Sequence, residues 1–290
     1  MRSPRRATGL AMVLATLVLT TSWALAQTRP DLVSRDRLRV CADPANMPYS
    51  NKAKEGFENK IAEIVADELK LPLRYDWMPQ GPGFVRATLG EGMCDLIVGY
   101  AVGSDIVDHS NPLYASTYVL VSRAGSGLEN VETLDDPRLA RVKLGVIAAT
   151  PPTDHLLRLG LLDKAKAYAL LVDRRFASPA EEAIHDVETG AIDALAIWGP
   201  IGGYFAKKAR PPLAVAPLHA EQRPALAFRI AFGLRRNELE WKHRLNDVIR
   251  ARKTDFEAVL RDYGVPLVPV EAAPIGASVQ RGQGPNGEVE

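Results

Sequence analysis

The sequence predicts an α/β fold of two lobes joined by two crossover strands. Three observations carry this reading. Strand-like and helix-like patterns alternate along the chain twice, once before and once after Gly125-Ser126-Gly127. A strand pattern at 116–123 (STYVLVSR) leads out of the first unit. A second at 226–234 (LAFRIAFGL) leads back ahead of two terminal helices. A chain that crosses twice between two α/β units builds a cleft at the carboxyl ends of both sheets.

The elements follow in order. Residues 37–42 (RLRVCA) read as a short buried strand. Residues 57–70 place Ile61, Ile64, Val65 and Leu69 on one helical face, with Pro72 just past the end. Strands follow at 73–77 and 95–99, with a short helix at 83–91 between them. The Gly-Ser-Gly punctuation after the exit strand suits a hinge or linker. The second unit has strands at 142–147, about 168–172 and 192–197, and helices near 153–162, at 179–189 and at 200–208. Pro211-Pro212 closes the last of these. Helices at 238–252 and 255–263 finish the fold. The tail, rich in Gly, Gln and small residues, is expected to be disordered. The predicted organisation is a signal peptide at 1–26, a first lobe at 27–123 and a second lobe at 124–224. The return strand and terminal helices span 225–270, and the tail spans 271–290.

Arg2, Arg5 and Arg6 precede a mostly apolar stretch at 9–25, and Ala24-Leu25-Ala26 has the form of an export cleavage site. The expected mature chain begins near Gln27, in the periplasm. The formal charge of +1 loses three arginines with that segment and becomes −2, which gives no support to nucleic-acid binding. No second stretch is apolar enough to span a bilayer, so no membrane span is expected after cleavage.

Cys41 and Cys94, the 2 cysteines, both survive cleavage. Two readings stay open. An oxidising compartment favours pairing. Against it, Cys41 lies late in one predicted strand and Cys94 just before another. Aligned parallel neighbours would set them about four positions apart at about 3.3 Å each, beyond disulfide reach unless a loop folds back.

Six segments carry a family resemblance: RVCADPANMPYSN (39–51), GFENKIAE (56–63), CDLIVG (94–99), STYVLV (116–121), WGPIGGYFAKK (198–208) and EWKHRLN (240–246). Together they resemble the MoxJ/XoxJ type, a family of quinoprotein-dehydrogenase-associated proteins within the type II periplasmic solute-binding proteins. The match runs from about Leu38 to Pro266. The resemblance implies the type II periplasmic binding protein fold. It also implies an accessory role in the maturation or activation of a periplasmic dehydrogenase that uses pyrroloquinoline quinone, with methanol the usual substrate. The expected partner is that dehydrogenase, with its cytochrome c as a further contact. No cofactor of the chain's own is implied. The competing reading is the solute-binding component of an ABC transporter for a small ligand.

The amino-acid clamps of solute-binding relatives are missing. Such proteins hold a carboxylate with an Arg soon after the third strand, because the guanidinium fork bonds both oxygens. Here Gly99–Ser110 contains no Arg, and Asp105 and Asp108 would repel a carboxylate. The Asp that holds the ligand's ammonium group is replaced by Trp198, and an aromatic ring is no substitute for a carboxylate as a charge partner. A zwitterionic ligand would lose both anchors.

Chain position nominates the cleft residues. Asp43, Asn46 and Tyr49 follow the first strand. Trp77, Phe84 and Tyr100 lie near later strand ends of the first lobe. Thr150, Trp198 and Gly199 come from the second. The expectation is an aromatic-lined cleft with Trp198 as the anchor, set against the plainer reading that these rings fill core gaps. Asp43-Pro44 is also a natural turn start.

No catalytic constellation emerges. His185 and Glu188 stand three apart on a helix, a pattern more often found on a solvated face than at a metal. H-E-x-x-H, C-x-x-C, G-x-S-x-G and phosphate-binding glycine loops are absent from the sequence. The expected protein is not an enzyme, and no metal site is expected.

Overall fold

The structure, a computed structural model, describes residues 33–103, 106–219 and 223–274. The predicted signal, Asp105 and the tail beyond Pro274 lie outside the described residues. The first half contains strands β1 (Leu38–Ala42), β2 (Ala45–Asn46) and β3 (Ser50–Asn51), helix α1 (Phe57–Leu69), then β4 (Leu73–Trp77) and β5 (Leu96–Ala101). Strand β6 (Asp108–Ser122) leads to β7 (Leu144–Ile147), α2 (Pro151–Arg158), β8 (Lys166–Tyr168), α3 (Pro179–Thr189), β9 (Ala194–Trp198), α4 (Gly199–Lys208) and β10 (Ala214–Pro217). The chain returns through β11 (Ala227–Leu234) and ends in α5 (Leu239–Ala251) and α6 (Lys253–Asp262).

The main sheet runs in the order β4-β1-β5-β11-β6-β9-β7-β8, with β10 also on β6. Strands β4, β1 and β5 are parallel, as are β8, β7 and β9. The two sets meet through one strand. Residues Asp108–Thr117 of β6 pair with β11, whereas Tyr118–Ser122 pair with β9. The division between the halves therefore falls at Thr117/Tyr118. The sequence pattern marks only the end of this strand, because Asn111 and Pro112 interrupt the alternation at its start.

Local chemistry sets the helices. The buried face of α1 is Ile61, Ala62, Val65 and Leu69, and Lys70 ends it in a left-handed conformation at φ 56°. Asn59 Oδ1 accepts the N–H groups of Gly56 and Asn51, each at 3.1 Å, which fixes the helix start against the β2/β3 hairpin. Pro179 opens α3 behind Ser178, and Gly190 closes it at φ 80°. The short helix expected at 83–91 is present at 84–90, wound as a π-helix over Arg86–Gly90, and the strand expected around 168–172 instead spans Lys166–Tyr168. The expected tail boundary also moves: Ala273 is fully buried, and its carbonyl accepts Arg229 Nε at 2.8 Å.

Cys41 and Cys94 form a disulfide with Cα atoms 5.5 Å apart. Cys41 sits opposite Ile97, three positions beyond Cys94. A turn in which Gly92 and Met93 donate to Leu89 and Thr88 folds the chain back to close that gap. Beside the bridge, Arg39 grips Asp95 through two bonds of 2.8 and 2.6 Å, and Arg235 Nη2 reaches the same carboxylate at 2.8 Å. Trp241 Nε1 donates to the Asp95 carbonyl at 2.9 Å, so this cluster ties β1, β5 and α5 together.

Candidate functional site: a cavity between the two halves

The halves meet in two places of different character. The first is the crossing. Thr117 Oγ1, on the outgoing strand, lies 2.8 and 3.0 Å from the carbonyls of Leu218 and Leu226 and shares its hydrogen between these two acceptors of the returning segment between β10 and β11. Ser116 Oγ donates to Pro266 at 2.6 Å, and Val268 N donates to Ala115 at 3.0 Å. Backbone packing is equally close. A Cβ on Gly199 would stand 2.3 Å from the Thr117 carbonyl, and one on Gly203 would stand 2.0 Å from the Gly264 carbonyl. Only glycine permits α4 to approach the strand and the final turn so closely.

Trp198 belongs to this crossing. It is 2% exposed, pairs across the sheet with Tyr118, and lies edge-on to Tyr118 and Phe228 at 5.2 and 5.8 Å. The expected open-cleft anchor is thus packed inside, because the end of β9 faces β6 and β11. Thr150 caps α2 and donates to the Ile147 carbonyl at 2.7 Å. Burial pushes the Tyr118 phenol up, offset in part by its bond to Thr150.

The second meeting place is a cavity of about 420 Å³. Asn46, Met47 and Tyr49 line it from the first half, and Ile147, Ile201 and Phe205 line it from the second. The 169–181 stretch, from the end of β8 into α3, completes its wall. Burial pushes the Tyr49 phenol well up, so it stays protonated.

The rim is polar and self-engaged. Asp43 Oδ1 accepts Ala45 N at 2.8 Å, and Oδ2 accepts Gln80 N at 2.7 Å. Asn46 Nδ2 donates to Gln80 Oε1 at 2.8 Å. From the other half, Arg174 Nη1 lies 3.4 Å from Asp43 Oδ2 and 3.4 Å from the Gln80 carbonyl. These are long contacts, so the charge pair across the mouth is loose.

Among the nominated residues, Asn46 and Tyr49 reach the cavity wall and Asp43 holds its rim. The others depart from the expectation. Phe84 and Tyr100 pack around the disulfide with Leu89 and Ile97. Trp77 stacks on Tyr75 at 4.6 Å on edge strand β4. Thr150, Trp198 and Gly199 stabilise the crossing. Sequence reading missed Arg174, Gln80 and the apolar floor. The one available signal was the pair Arg174-Arg175 set between apolar runs.

Among the described residues no group of three or more His, Cys, Asp or Glu could hold a metal ion, and no helix is long and apolar enough to cross a membrane. His185 Nδ1 stands 3.7 Å from Glu188 on an exposed helix face.

Comparison with known proteins places this geometry. No protein-family model matches the chain. The crystal structure of the periplasmic binding protein XoxJ from Methylobacterium extorquens AM1 is 47% identical, with a TM-score of 0.69 over 80% of this chain and 99% of that one. The chain belongs to the MoxJ/XoxJ family of periplasmic binding proteins. MxaJ from Methlophaga aminisulfidivorans MPT is 26% identical with a TM-score of 0.72, covering 80% of this chain and 100% of that one. Protein MoxJ from Methylorubrum extorquens AM1 is 27% identical over 266 residues, covering 86% of this chain and 87% of the relative. The two-lobed type II fold of the family is the architecture described above.

Proposed function

We propose that this protein is a periplasmic accessory protein of an alcohol dehydrogenase that uses pyrroloquinoline quinone, methanol being the substrate class. It assists maturation or activation through direct contact. The observation that carries the reading is membership of the MoxJ/XoxJ family along nearly the full length of XoxJ. The lost amino-acid clamps support it. Gly99–Ser110 contains no Arg, and the position of the ammonium partner is a buried Trp198. The cavity beside the crossing has an apolar floor of Met47, Ile147, Ile197, Ile201 and Phe205, which suits an apolar segment of a partner. The protein is exported, with cleavage near Ala26/Gln27, and performs no reaction of its own.

The test is deletion of the gene with restoration by the wild-type chain. Deletion is expected to lower dehydrogenase activity and alcohol-dependent growth, and restoration to recover both. Unchanged growth and activity would remove the reading. A second reading, the solute-binding component of a transporter for a small non-amino-acid ligand, is favoured by the size of the cavity. Deletion would then lower uptake of that solute while dehydrogenase activity stayed normal.

A further inference from the structure

We propose that strand β4 is the interface of a symmetric dimer, in which the β4 edges of two copies of this chain pair antiparallel about Tyr75. Strand β4 ends the main sheet, and its strand neighbour is β1. Leu38 N donates to the Pro72 carbonyl at 2.9 Å, and Met78 N donates to the Ala42 carbonyl at 3.1 Å. In the register that runs from Leu38 beside Leu73 to Ala42 beside Trp77, the ladder bonds between those two fall on Arg74 and Asp76. The N–H and C=O groups of Leu73, Tyr75 and Trp77 therefore point away from β1, and no described strand pairs with that side. The opposite edge of the sheet is protected: β8 has 3 residues and carries Lys166. Strand β4 has 5 residues, with neither Pro nor Lys among them.

The sequence Leu73-Arg74-Tyr75-Asp76-Trp77 is its own complement. Antiparallel pairing centred on Tyr75 sets Tyr75 against Tyr75 of the second copy, Leu73 against Trp77, and Arg74 against Asp76. Each contact is repeated by the two-fold axis, as an isologous interface requires. The hydrogen bonds agree with this register, because the opposed residues 73, 75 and 77 are those whose backbone groups face outward. One face of the joint carries the charge pairs. The Arg74 side chain is 58% exposed and meets Asp76 Oδ1 of its own strand at 3.2 Å. Its ladder neighbour on β1 is Arg39, itself held by Asp95, so the sheet gives Arg74 a like charge and the second copy gives it an acid. The other face carries Tyr75 and Trp77, stacked at 4.6 Å and half-exposed, and pairing extends that stack across the joint. Sliding the pair by two residues in either direction would set Arg74 against Arg74 or Asp76 against Asp76, so charge fixes the register.

An interface built on one short strand is small and its association weak, so sedimentation equilibrium of the chain purified from the periplasm is followed up to about 1 mM. A monomer–dimer equilibrium is expected. Arg74→Asp and Asp76→Arg each set like charges opposite one another and are each expected to weaken the dimer about tenfold. Mixed one to one they are expected to recover the wild-type affinity, since one strand then offers two acids and the other two bases. Circular dichroism checks the fold of both. Asp76 is largely buried, so a second measurement leaves the sequence untouched. Amide exchange of the wild-type chain is expected to slow at Tyr75 and Trp77 as concentration rises, while Arg74 and Asp76, bonded to β1, stay protected throughout. A single monomeric species at every concentration would overturn the dimer, as would exchange at Tyr75 and Trp77 that ignores concentration. A dimer indifferent to Arg74→Asp, or no recovery on mixing the two folded variants, would overturn the pairing about Tyr75. No dehydrogenase is present in these measurements, so their failure is distinguishable from failure of the accessory role.

Discussion

The crossing and the cavity join the same two halves by opposite means. At the crossing, backbone touches backbone through Gly199 and Gly203, and Tyr118, Trp198 and Phe228 fill the remaining space. At the cavity mouth, one guanidinium reaches one carboxylate over 3.4 Å, above a floor that leaves about 420 Å³ unfilled. Packing at the first place tolerates little change, because interiors are close-packed and each lost contact is felt. At the second, the contacts of Arg174 with Asp43 and Gln80 are longer and enclose space instead of packed side chains. Stability therefore resides at the crossing, and freedom to admit a guest resides at the mouth.

The largest effect expected comes from Trp198→Ala, which breaks the comparison at its rigid end. Emptying a buried Trp site costs about 3–5 kcal/mol. The variant's melting temperature is expected to fall by many degrees, and its ability to support dehydrogenase activation is expected to fall only in parallel. A folded Trp198→Ala chain with normal melting and no activation would instead make Trp198 a direct contact, and the crossing a functional surface.

The disulfide comes next. It closes 53 residues of the first half, and its loss is expected to cost about 2–4 kcal/mol. Thiol titration of the denatured chain without reductant is expected to find no free thiol, and reduction is expected to lower the melting temperature. Two titratable thiols would show that the turn at Gly92 and Met93 does not hold Cys94 back.

How far the sequence carries depends on range. The strands of the parallel sets, the face of α1 and the span of α3 were legible, since each rests on spacing within a dozen residues. The GFENKIAE motif was visible but its purpose was not: Asn59 works by reaching Asn51 across a turn. Position in the chain put Trp198 at a strand end, correctly, yet the direction of its ring depends on Phe228 from the returning strand. The cysteines could not be settled because the register sets a gap that only the local fold-back closes. Arg174 and Asp43 are 131 residues apart, and no local pattern marks such a pair.

At the yielding end of the comparison, Arg174→Ala is expected to cost less than Trp198→Ala, because the Asp43 carboxylate keeps the backbone N–H groups of Ala45 and Gln80. Hydrogen exchange is expected to rise in 169–178 and 43–51 and to stay unchanged around Thr117. A melting loss as large as that of Trp198→Ala would erase the distinction between the two contacts. Calorimetry with the twenty amino acids sharpens the same point, since no micromolar binding is expected for any of them. One such dissociation constant would mean that the mouth holds charges after all.

The smallest effect expected is a slope with pH, and it probes the one titrating tie described at the crossing. His155 is buried on α2, its Nε2 lying 2.7 Å from the Pro224 carbonyl in the returning segment and its Nδ1 2.7 Å from Arg158 Nη2. A carbonyl and a guanidinium can both be satisfied only by the neutral ring with its proton on Nε2. Burial lowers its pKa from the usual 6.5, with Arg158 adding to the effect, while the Pro224 carbonyl, Asp154 and Asp135 act in the opposite direction. The folded chain thus binds fewer protons than the unfolded one near and below that value, so stability is complete above about pH 6.5 and falls as the pH drops. Melting followed from pH 7.5 to pH 5 is expected to show this decline in the wild type. His155→Gln keeps a donor for Pro224 and removes the titration, so its curve is expected to be flatter over the same range. Identical slopes would place the acid sensitivity elsewhere and leave the crossing without a titrating tie at this position.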